Sequence, residues 1–445
     1  MKPGYHSTRV ITLVRAAFLS LCMFTASLSP ALLANPQDSQ AGTAHLDSVL
    51  VTGSTRFTSE QIASAIGLRK GEVINRDTLQ AAADKLAELG LFANIQYKFS
   101  TVATGVAVTY QVADAPLLPV TFDNFPWATD DELTASLKAS GILFNGSAPA
   151  KGTILDAMSE ALAHVLDQRG VHARVTHQVI TLPVRDQMVQ QFRVDDANLT
   201  VQSIEFNDDL AKNDRAIQER SADLVGKPYS RSSIELFELE QVRPVYLAHS
   251  YLRVQFGPTV ARFAAKPSEP LTGPVIVTVP IVVGPAFQWG GVEWRGNDSV
   301  SSANLDQVVD LKPGEPADGN KIEAVWERAR AAYGQAGFLD ATLNPEPQFD
   351  DKGARVIYSV TITEGPQYRM GSLVLTGLSL EGERRIRKAF PIAQDAVFNK
   401  GMYESFVNSG LKSAFAGLPV HYDKIGRFLQ EDQTGAKVDV MLDFQ

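Results

Sequence analysis

One transition from helix to strand is repeated five times along this chain of 445 residues. In the clearest copy, AAYGQAGFLDATL at 331–343, a helical run stops at Gly337 and an alternating apolar pattern follows at once. Similar passages lie at 88–97, 167–176, 248–256 and 415–422. A glycine just past a helix accepts the left-handed conformation that ends it. The repetition therefore predicts a tandem array of small domains.

The residues between these transitions predict the fold of each repeat. In 46–115, LDSVLVTG is typical of a strand, TSEQIASAIGL and LQAAADKLAELG of two helices, and NIQYKFS with GVAVTYQV of a closing hairpin. We predict an α+β fold of five two-layer β-α-α-β-β domains. Each has a three-stranded mixed sheet with two helices on one face. The third strand is central, which leaves the first and second strands as edges.

Regularly spaced markers set the boundaries of the repeats. The second marker of each repeat is Gly71, Gly146, Gly226, Gly314 or, in the last, Gln394. We predict a signal peptide at 1–34, a linker at 35–45, and domains at 46–115, 116–196, 197–285, 286–366 and 367–445.

The N-terminus is typical of an export signal. Basic residues such as Lys2 and Arg15 precede the apolar stretch 16–34, and polar residues follow it. We favour a cleaved signal over a membrane anchor, because the strongly apolar part is shorter than the roughly 20 residues that span a bilayer. Cys22 is the only cysteine. Without it, the mature chain has no disulfides, thiol nucleophile or cysteine metal ligands.

The remaining composition argues against nucleic-acid binding and catalysis. A formal net charge of −9 does not suit a partner made of phosphates. No HExxH, GxSxG, GxGxxG or GxxxxGK[ST] pattern occurs. His172 and His177 are five residues apart, so a regular strand would direct them to opposite faces. We predict no enzyme activity, no cofactor and no metal.

Three stretches of the sequence resemble POTRA (polypeptide-transport-associated) domains. They are VLVTGSTRFTSEQIASAIGLRKGE…LGLFANIQY, VEWRGNDSVSSANLDQVVDLKPGEP…GQAGFLDATL with its ending VTITEGP, and LVLTGLSLEGERRIRKAF…FAGLPV. The third repeat fits less closely and the second least. The resemblance covers 46–445 and implies a periplasmic array in proteins that insert or secrete outer-membrane proteins.

The resemblance also implies partners. POTRA arrays in such proteins precede a C-terminal β-barrel, whereas Gln445 closes the last predicted strand here. We therefore expect either the soluble half of an assembly factor or a stand-alone relative that works with a separate barrel, in both cases periplasmic and associated with the outer membrane. Its clients would be unfolded outer-membrane or secreted polypeptides.

Exposed strand edges are the candidate binding sites, because their free N–H and C=O groups can pair with an extended client. The candidate edges are Asn94–Ser100, Ala173–Ile180, Leu252–Phe256, Ala341–Leu343 and Val420–Ile425. The residues favoured for client binding are Asn94, Ile95, Gln96, Tyr97, Lys98, Phe99, Ala173, Arg174, Val175, Leu252, Arg253 and Val254. Pro345 and Pro347 remove donors from the fourth edge. The alternative is that neighbouring domains cover the edges.

A basic run in the fifth repeat suggests a second kind of contact. Arg384, Arg385, Arg387 and Lys388 lie on a predicted helix. They suit anionic lipid head groups or the rim of a partner barrel, and the alternative is a solvated helix face. For the whole chain, a client-binding scaffold is preferred to a structural spacer, and both are preferred to an exported hydrolase.

Overall fold

The computed structural model describes residues 44–182, 187–416, 422 and 424–445. The predicted signal peptide with Cys22, most of the linker and most of the fifth candidate edge lie outside these ranges. Within them, the strands form five mixed sheets of three or four strands and one separate two-stranded pair. The predicted mixture of helices with several small mixed sheets is confirmed.

Sheet one has the strand order β2-β1-β4-β3, with β1 parallel and β3 antiparallel to β4. Its elements are β1 (Ala44–Thr52), α1 (Ser59–Ile66), β2 (Val73–Ile74), α2 (Arg76–Glu88), β3 (Phe92–Val102) and β4 (Gly105–Asp114). Both helices begin at capping boxes. The side chain of Thr58 caps α1 and that of Asn75 caps α2, so polar residues define where the two helices start.

Sheet two repeats this arrangement in the order β6-β5-β8-β7. Its elements are β5 (Leu118–Phe122), α3 (Asp130–Ala139), β6 (Ser147–Ala148), α4 (Ile154–Asp167), β7 (Val175–Leu182) and β8 (Gln187–Val194). The side chain of Thr129 caps α3 through a further capping box with Glu132.

Sheet three has the order β11-β12-β9, and β10 pairs separately with β13. Its elements are β9 (Asn198–Phe206), α5 (Asp209–Asn213), α6 (Arg215–Ala222), α7 (Arg231–Phe237), a π-helical turn (Glu238–Val242), α8 (Arg243–Ala248), β10 (Gln255–Phe256), β11 (Val260–Phe263), β12 (Thr272–Val279) and β13 (Ile281–Val282). The second helical region is therefore continuous from α7 to α8, with a wider π-helical turn in its middle.

Sheets four and five have the orders β14-β16-β15 and β17-β19-β18. The segment that forms sheet four comprises β14 (Gln288–Arg295), α9 (Ser302–Asp306), α10 (Gly319–Gln335), β15 (Thr342–Asp350) and β16 (Arg355–Thr363). The segment that forms sheet five comprises β17 (Arg369–Thr376), α11 (Leu380–Ala389), α12 (Lys400–Ser405), a π-helical turn (Phe406–Gly410), α13 (Leu411–Ala414), β18 (Ile425–Asp432) and β19 (Lys437–Phe444).

The central strand of each sheet carries its core. On β4 the alternate residues Val108, Tyr110 and Val112 are buried, and on β19 Val438, Val440 and Leu442 are buried in the same way. Alternation at period two directs these side chains to one face, where the helices cover them. The buried residues of sheets one and two form one continuous cluster, whereas sheets three, four and five each have their own.

Candidate functional site

The segment between the two helical regions covers part of the first strand in every sheet. In sheet one β2 pairs with Ala44 and His45, and in sheet two β6 pairs with Leu118 and Pro119. In the other sheets a single bridge does so, namely Thr200 with Pro228, Gln288 with Pro316 and Arg369 with Val397. The sequence predicted that the first strand is an open edge. The structure shows instead that this edge is partly covered. The outer strand of the hairpin is the more accessible one.

The marker residues explain how this cover forms. The N–H groups of Gly71, Gly226 and Gly314 donate to first-strand carbonyls at 2.7–2.8 Å, and all three glycines have a positive φ. In sheet five the same bond comes from Asp395, with φ of 60°, one residue after the predicted marker Gln394. Aspartate tolerates the left-handed region better than most residues, so it can replace glycine here.

Strand β3 is the longest of the hairpin edges, at 11 residues. Its residues Ile95, Tyr97 and Phe99 pair with the buried residues of β4 and so share the face that carries the helices. The Tyr97 hydroxyl donates to Gln80 of α2 at 3.3 Å. Phe99 remains 60% exposed.

The opposite face of β3 is polar. Asn94, Gln96 and Lys98 are exposed there. Among the described residues, β4 is the only strand that pairs with β3. The six residues predicted on this strand, Asn94 to Phe99, therefore form one continuous accessible edge with an aromatic and a polar side.

In sheet two the predicted edge residues divide between strand and loop. Val175 begins β7, whereas Ala173 and Arg174 precede it. The guanidinium of Arg174 bonds Asp195 at 2.6 and 2.9 Å, and this contact holds the pKa of Asp195 below its usual value.

In sheet three the predicted edge was wrong. Leu252, Arg253 and Val254 lie in a turn, and only Gln255–Phe256 of that stretch is a strand, paired with β13. The outer strand of the hairpin is β11. Arg253 instead joins sheets three and four. Its guanidinium stacks on Phe349 at 4.0 Å and bonds Asp351 at 2.7 Å.

The fourth and fifth edges differ from the first. Strand β15 contains Pro345 and Pro347, which supply no N–H to an added strand. Of the fifth candidate edge, Val420 lies outside the described residues, and Ile425 begins β18. Phe428 on β18 is 56% exposed, close to the value for Phe99.

The basic run in sheet five lies on α11, as predicted, but its charges are largely paired. Arg384 and Arg385 both contact Glu381, at 2.6 and 2.9 Å, and Arg387 contacts Glu383 at 2.9 Å. The hydrogen bond from Arg385 is the main cause that lowers the pKa of Glu381. Lys388 is part of the last turn of the same helix. Contact with anionic lipid or a barrel rim remains a prediction for these residues.

A second polar centre joins sheets two and three. The buried carboxylate of Asp123 accepts the backbone N–H groups of Arg231 and Ser232, at 2.8 and 3.4 Å. The Arg231 guanidinium bonds both carboxylate oxygens of Asp130, at 2.6 and 2.9 Å. Burial raises the pKa of Asp123, and the two backbone N–H groups act against this shift.

The described part of the chain also bears on metal binding and on membrane spanning. No group of three or more His, Cys, Asp or Glu side chains is placed to hold a metal ion there. None of its helices is both long enough and apolar enough to cross a bilayer.

A protein-family model matches two parts of the chain. The family model "POTRA: Surface antigen variable number repeat" matches residues 44–114 and 287–365. These ranges contain sheets one and four. The chain therefore contains POTRA domains in these two ranges.

Similar proteins are distant. A putative outer membrane protein assembly factor of Treponema pallidum (strain Nichols) is 21% identical over 246 residues, which cover 54% of this chain and 29% of that protein. The chain thus spans less than a third of the length of this relative.

Two solved structures are also similar. The POTRA3-5 structure of Haemophilus influenzae BamA is 17% identical, with a TM-score of 0.42, over 56% of this chain and 96% of that one. The N-terminal domain of Omp85 from Thermosynechococcus elongatus is 10% identical, with a TM-score of 0.23, over 91% and 97%.

Proposed function

We propose that this protein is a periplasmic scaffold of five tandem POTRA domains, with the boundaries predicted above, that assists assembly of outer-membrane proteins or translocation of secreted ones. It is exported by the signal at 1–34 and associates with the outer membrane. It holds extended, unfolded client segments on a strand edge and docks a β-barrel partner. It acts by binding and carries out no catalysis.

The accessible edge of β3 is the observation that carries this proposal. Every second residue of an edge strand directs its N–H and C=O away from the sheet, so 11 residues offer a long row of unpaired groups. Main-chain pairing of this kind tolerates many client sequences.

The two faces of β3 also suit a particular class of client. A strand added beside β3 would direct alternate side chains toward Tyr97 and Phe99, and the others toward the polar face with Gln96 and Lys98. Clients whose apolar and polar residues alternate satisfy both faces at once. Strands of outer-membrane barrels have this pattern.

Site-specific photo-cross-linking tests the edge directly. A photoreactive residue replaces Gln96 on β3 in one variant and Gln348 on β15 in the matched control. Both glutamines are exposed and both lie on hairpin edge strands, but Gln348 follows Pro347. We expect newly exported outer-membrane proteins to cross-link at Gln96 and not at Gln348.

A second pair of variants separates binding at the β3 edge from nonspecific binding to exposed apolar side chains. Phe99→Ala should reduce the yield of cross-links at Gln96, because it removes the aromatic surface beside the added strand. Phe428→Ala removes a similarly exposed phenylalanine from β18 and should leave the yield unchanged. Equal cross-linking at Gln96 and Gln348 would contradict the proposal.

A structural spacer is the second candidate, and the buried contacts at Asp123 favour it. A spacer needs fixed angles between domains, and a buried carboxylate that bonds the next domain's backbone supplies such a constraint. If the protein is a spacer, we expect stable co-purification with one folded partner and no client cross-links at Gln96.

A further inference from the structure

A cavity of about 300 Å³ lies between sheets two and three. One wall is formed by the loop before α3, with Phe125 and Ala128. The other is formed by the start of the edge strand β11, with Pro258, Val260 and Ala261. The cavity therefore lies directly beside a strand edge that the sequence did not identify.

The backbone of β11 places one unpaired residue at this cavity. Ala264, just after the strand, donates to Pro274 of β12 at 3.1 Å. Bonded pairs alternate along an antiparallel ladder, so Arg262 and Val260 bond to β12 while Ala261 directs its N–H and C=O outward. Ala261 also lines the cavity. An extended segment that pairs with Ala261 can place a side chain in the cavity.

The other end of β11 is closed. The Trp127 ring packs on Phe263 with centroids 5.5 Å apart, and its Nε1 donates to the Pro270 carbonyl at 3.1 Å. This leaves room for a short contact at Ala261 rather than for a long added strand.

The charges at the cavity favour a cation. Asp130 is neutralised by its two bonds to Arg231, whose Nε is buried. Asp131 is exposed and forms no ion pair with any other described residue. One negative charge therefore remains beside walls that are mostly apolar. Lysine and arginine combine an apolar stem with a positive head group and match both features.

We propose that this cavity takes one lysine or arginine side chain of an extended polypeptide that pairs with β11 at Ala261, with its head group at Asp131. The inference rests on the proposed function, because it assumes that extended segments bind to strand edges of this chain. It adds a preference for basic residues that the β3 edge does not supply.

Peptide binding to the full mature chain tests the preference. The probes are three fluorescent peptides with blocked ends and alternating Thr and Val residues, which differ only in a central lysine, norleucine or glutamate. Norleucine keeps the apolar length of lysine and lacks its charge. Fluorescence anisotropy should show about threefold to tenfold tighter binding of the lysine peptide than of the norleucine peptide, with the glutamate peptide weakest.

Two variants locate the effect. Asp131→Asn should reduce the ratio of lysine to norleucine affinity to about one. Glu60→Gln is the matched control, because Glu60 is an exposed acid at the equivalent second position of α1, and it should retain the preference. A preference that survives Asp131→Asn would overturn the inference.

The outcomes also separate this inference from the proposed function. Peptide binding that Phe99→Ala weakens, with no difference between lysine and norleucine, would contradict the cavity proposal alone. No binding of any peptide to the wild-type chain would contradict both.

Discussion

The junction between sheets one and two is built differently from the junction between sheets two and three. At the first, backbone meets backbone: the N–H of Thr153 donates to the Glu88 carbonyl at 2.8 Å, and a Cβ on Gly90 would overlap the Lys151 carbonyl oxygen. The apolar cores on its two sides are continuous. At the second, the buried carboxylate of Asp123 and the partly exposed ion pair of Asp130 with Arg231 make the contact.

The difference indicates which kind of change should destabilise each junction. Close backbone packing is sensitive to added volume and insensitive to charge. A buried polar group is destabilising when its hydrogen-bond partner is removed. The stability that a buried titratable group contributes also depends on pH. The first junction should therefore respond to steric variants and the second to pH and to removal of acceptors.

The largest effect is expected for Gly90→Ala. The residue has φ of 78°, and its added Cβ would meet the carbonyl of Lys151. We expect a loss of about 2–4 kcal/mol in the free energy of unfolding, measured from the first urea transition.

Gly71→Ala is the control for Gly90→Ala. Its φ of 86° is similarly positive, but an added Cβ has open space, so only the backbone cost of about 1–2 kcal/mol applies. Equal losses for the two variants would show that the contact with Lys151 contributes nothing.

Asp123→Ala should have the next largest effect. It leaves the N–H groups of Arg231 and Ser232 without their acceptor, at a cost of about 1–3 kcal/mol. Asp123→Asn keeps an amide oxygen at the same place and should cost less. Hydrogen exchange of these two amides reports the loss locally, and unchanged protection in Asp123→Ala would contradict the assignment.

Beside the second junction, a pH response should be visible through Glu238, whose partner Thr259 lines the cavity between sheets two and three. This carboxyl lies in the π-helical turn and accepts the Thr259 hydroxyl at 2.8 Å, and burial raises its pKa to about 7. Because the folded pKa lies above the unfolded value of 4.5, the stabilisation is complete below about pH 4.5 and is lost as the pH rises toward 7.

Paired measurements isolate that contribution. Wild type and Glu238→Gln should diverge in the urea midpoint between about pH 4.5 and 7, with the wild type losing stability relative to the variant. Subtracting the curve of the variant from that of the wild type removes the contribution of the other acids. Several of these acids have lowered pKa values and the opposite pH dependence. Parallel curves would exclude Glu238 as the source.

The smallest effect is expected for Arg174→Ala. Its two hydrogen bonds to Asp195 are as short as those of the Asp130–Arg231 pair, although both end on one carboxylate oxygen, and the Arg174 side chain is 79% exposed. Exposed pairs contribute about 0–1 kcal/mol. A larger loss in thermal unfolding would show that short hydrogen bonds, and not burial, decide what these pairs contribute.

The sequence predicted some features of the candidate site because their causes are local. Residues 94–99 alternate apolar and polar side chains, and this pattern alone places them on a half-exposed strand. Gly71 and Gly314 mark turns because glycine accepts a positive φ at no steric cost. The same local argument failed at Leu252–Val254, where a short alternation resembles a strand but forms a turn.

Other features required contacts between distant residues. Asp123 and Arg231 are 108 residues apart in sequence, and no local pattern pairs them. The sequence placed the marker of the fifth repeat at Gln394, whereas the structure places it at Asp395. The position is defined by the bond from the Asp395 N–H to the Met370 carbonyl, which the sequence does not show.

By itself, the sequence determined the repeated order of strands and helices, since periodicity, capping residues and turn glycines act within a few residues. Only the tertiary structure decided which edges stay accessible, where β11 lies and how the junctions are made. Those outcomes depend on which groups from separate repeats are brought close enough to exclude water, and that is a property of packing rather than of local pattern.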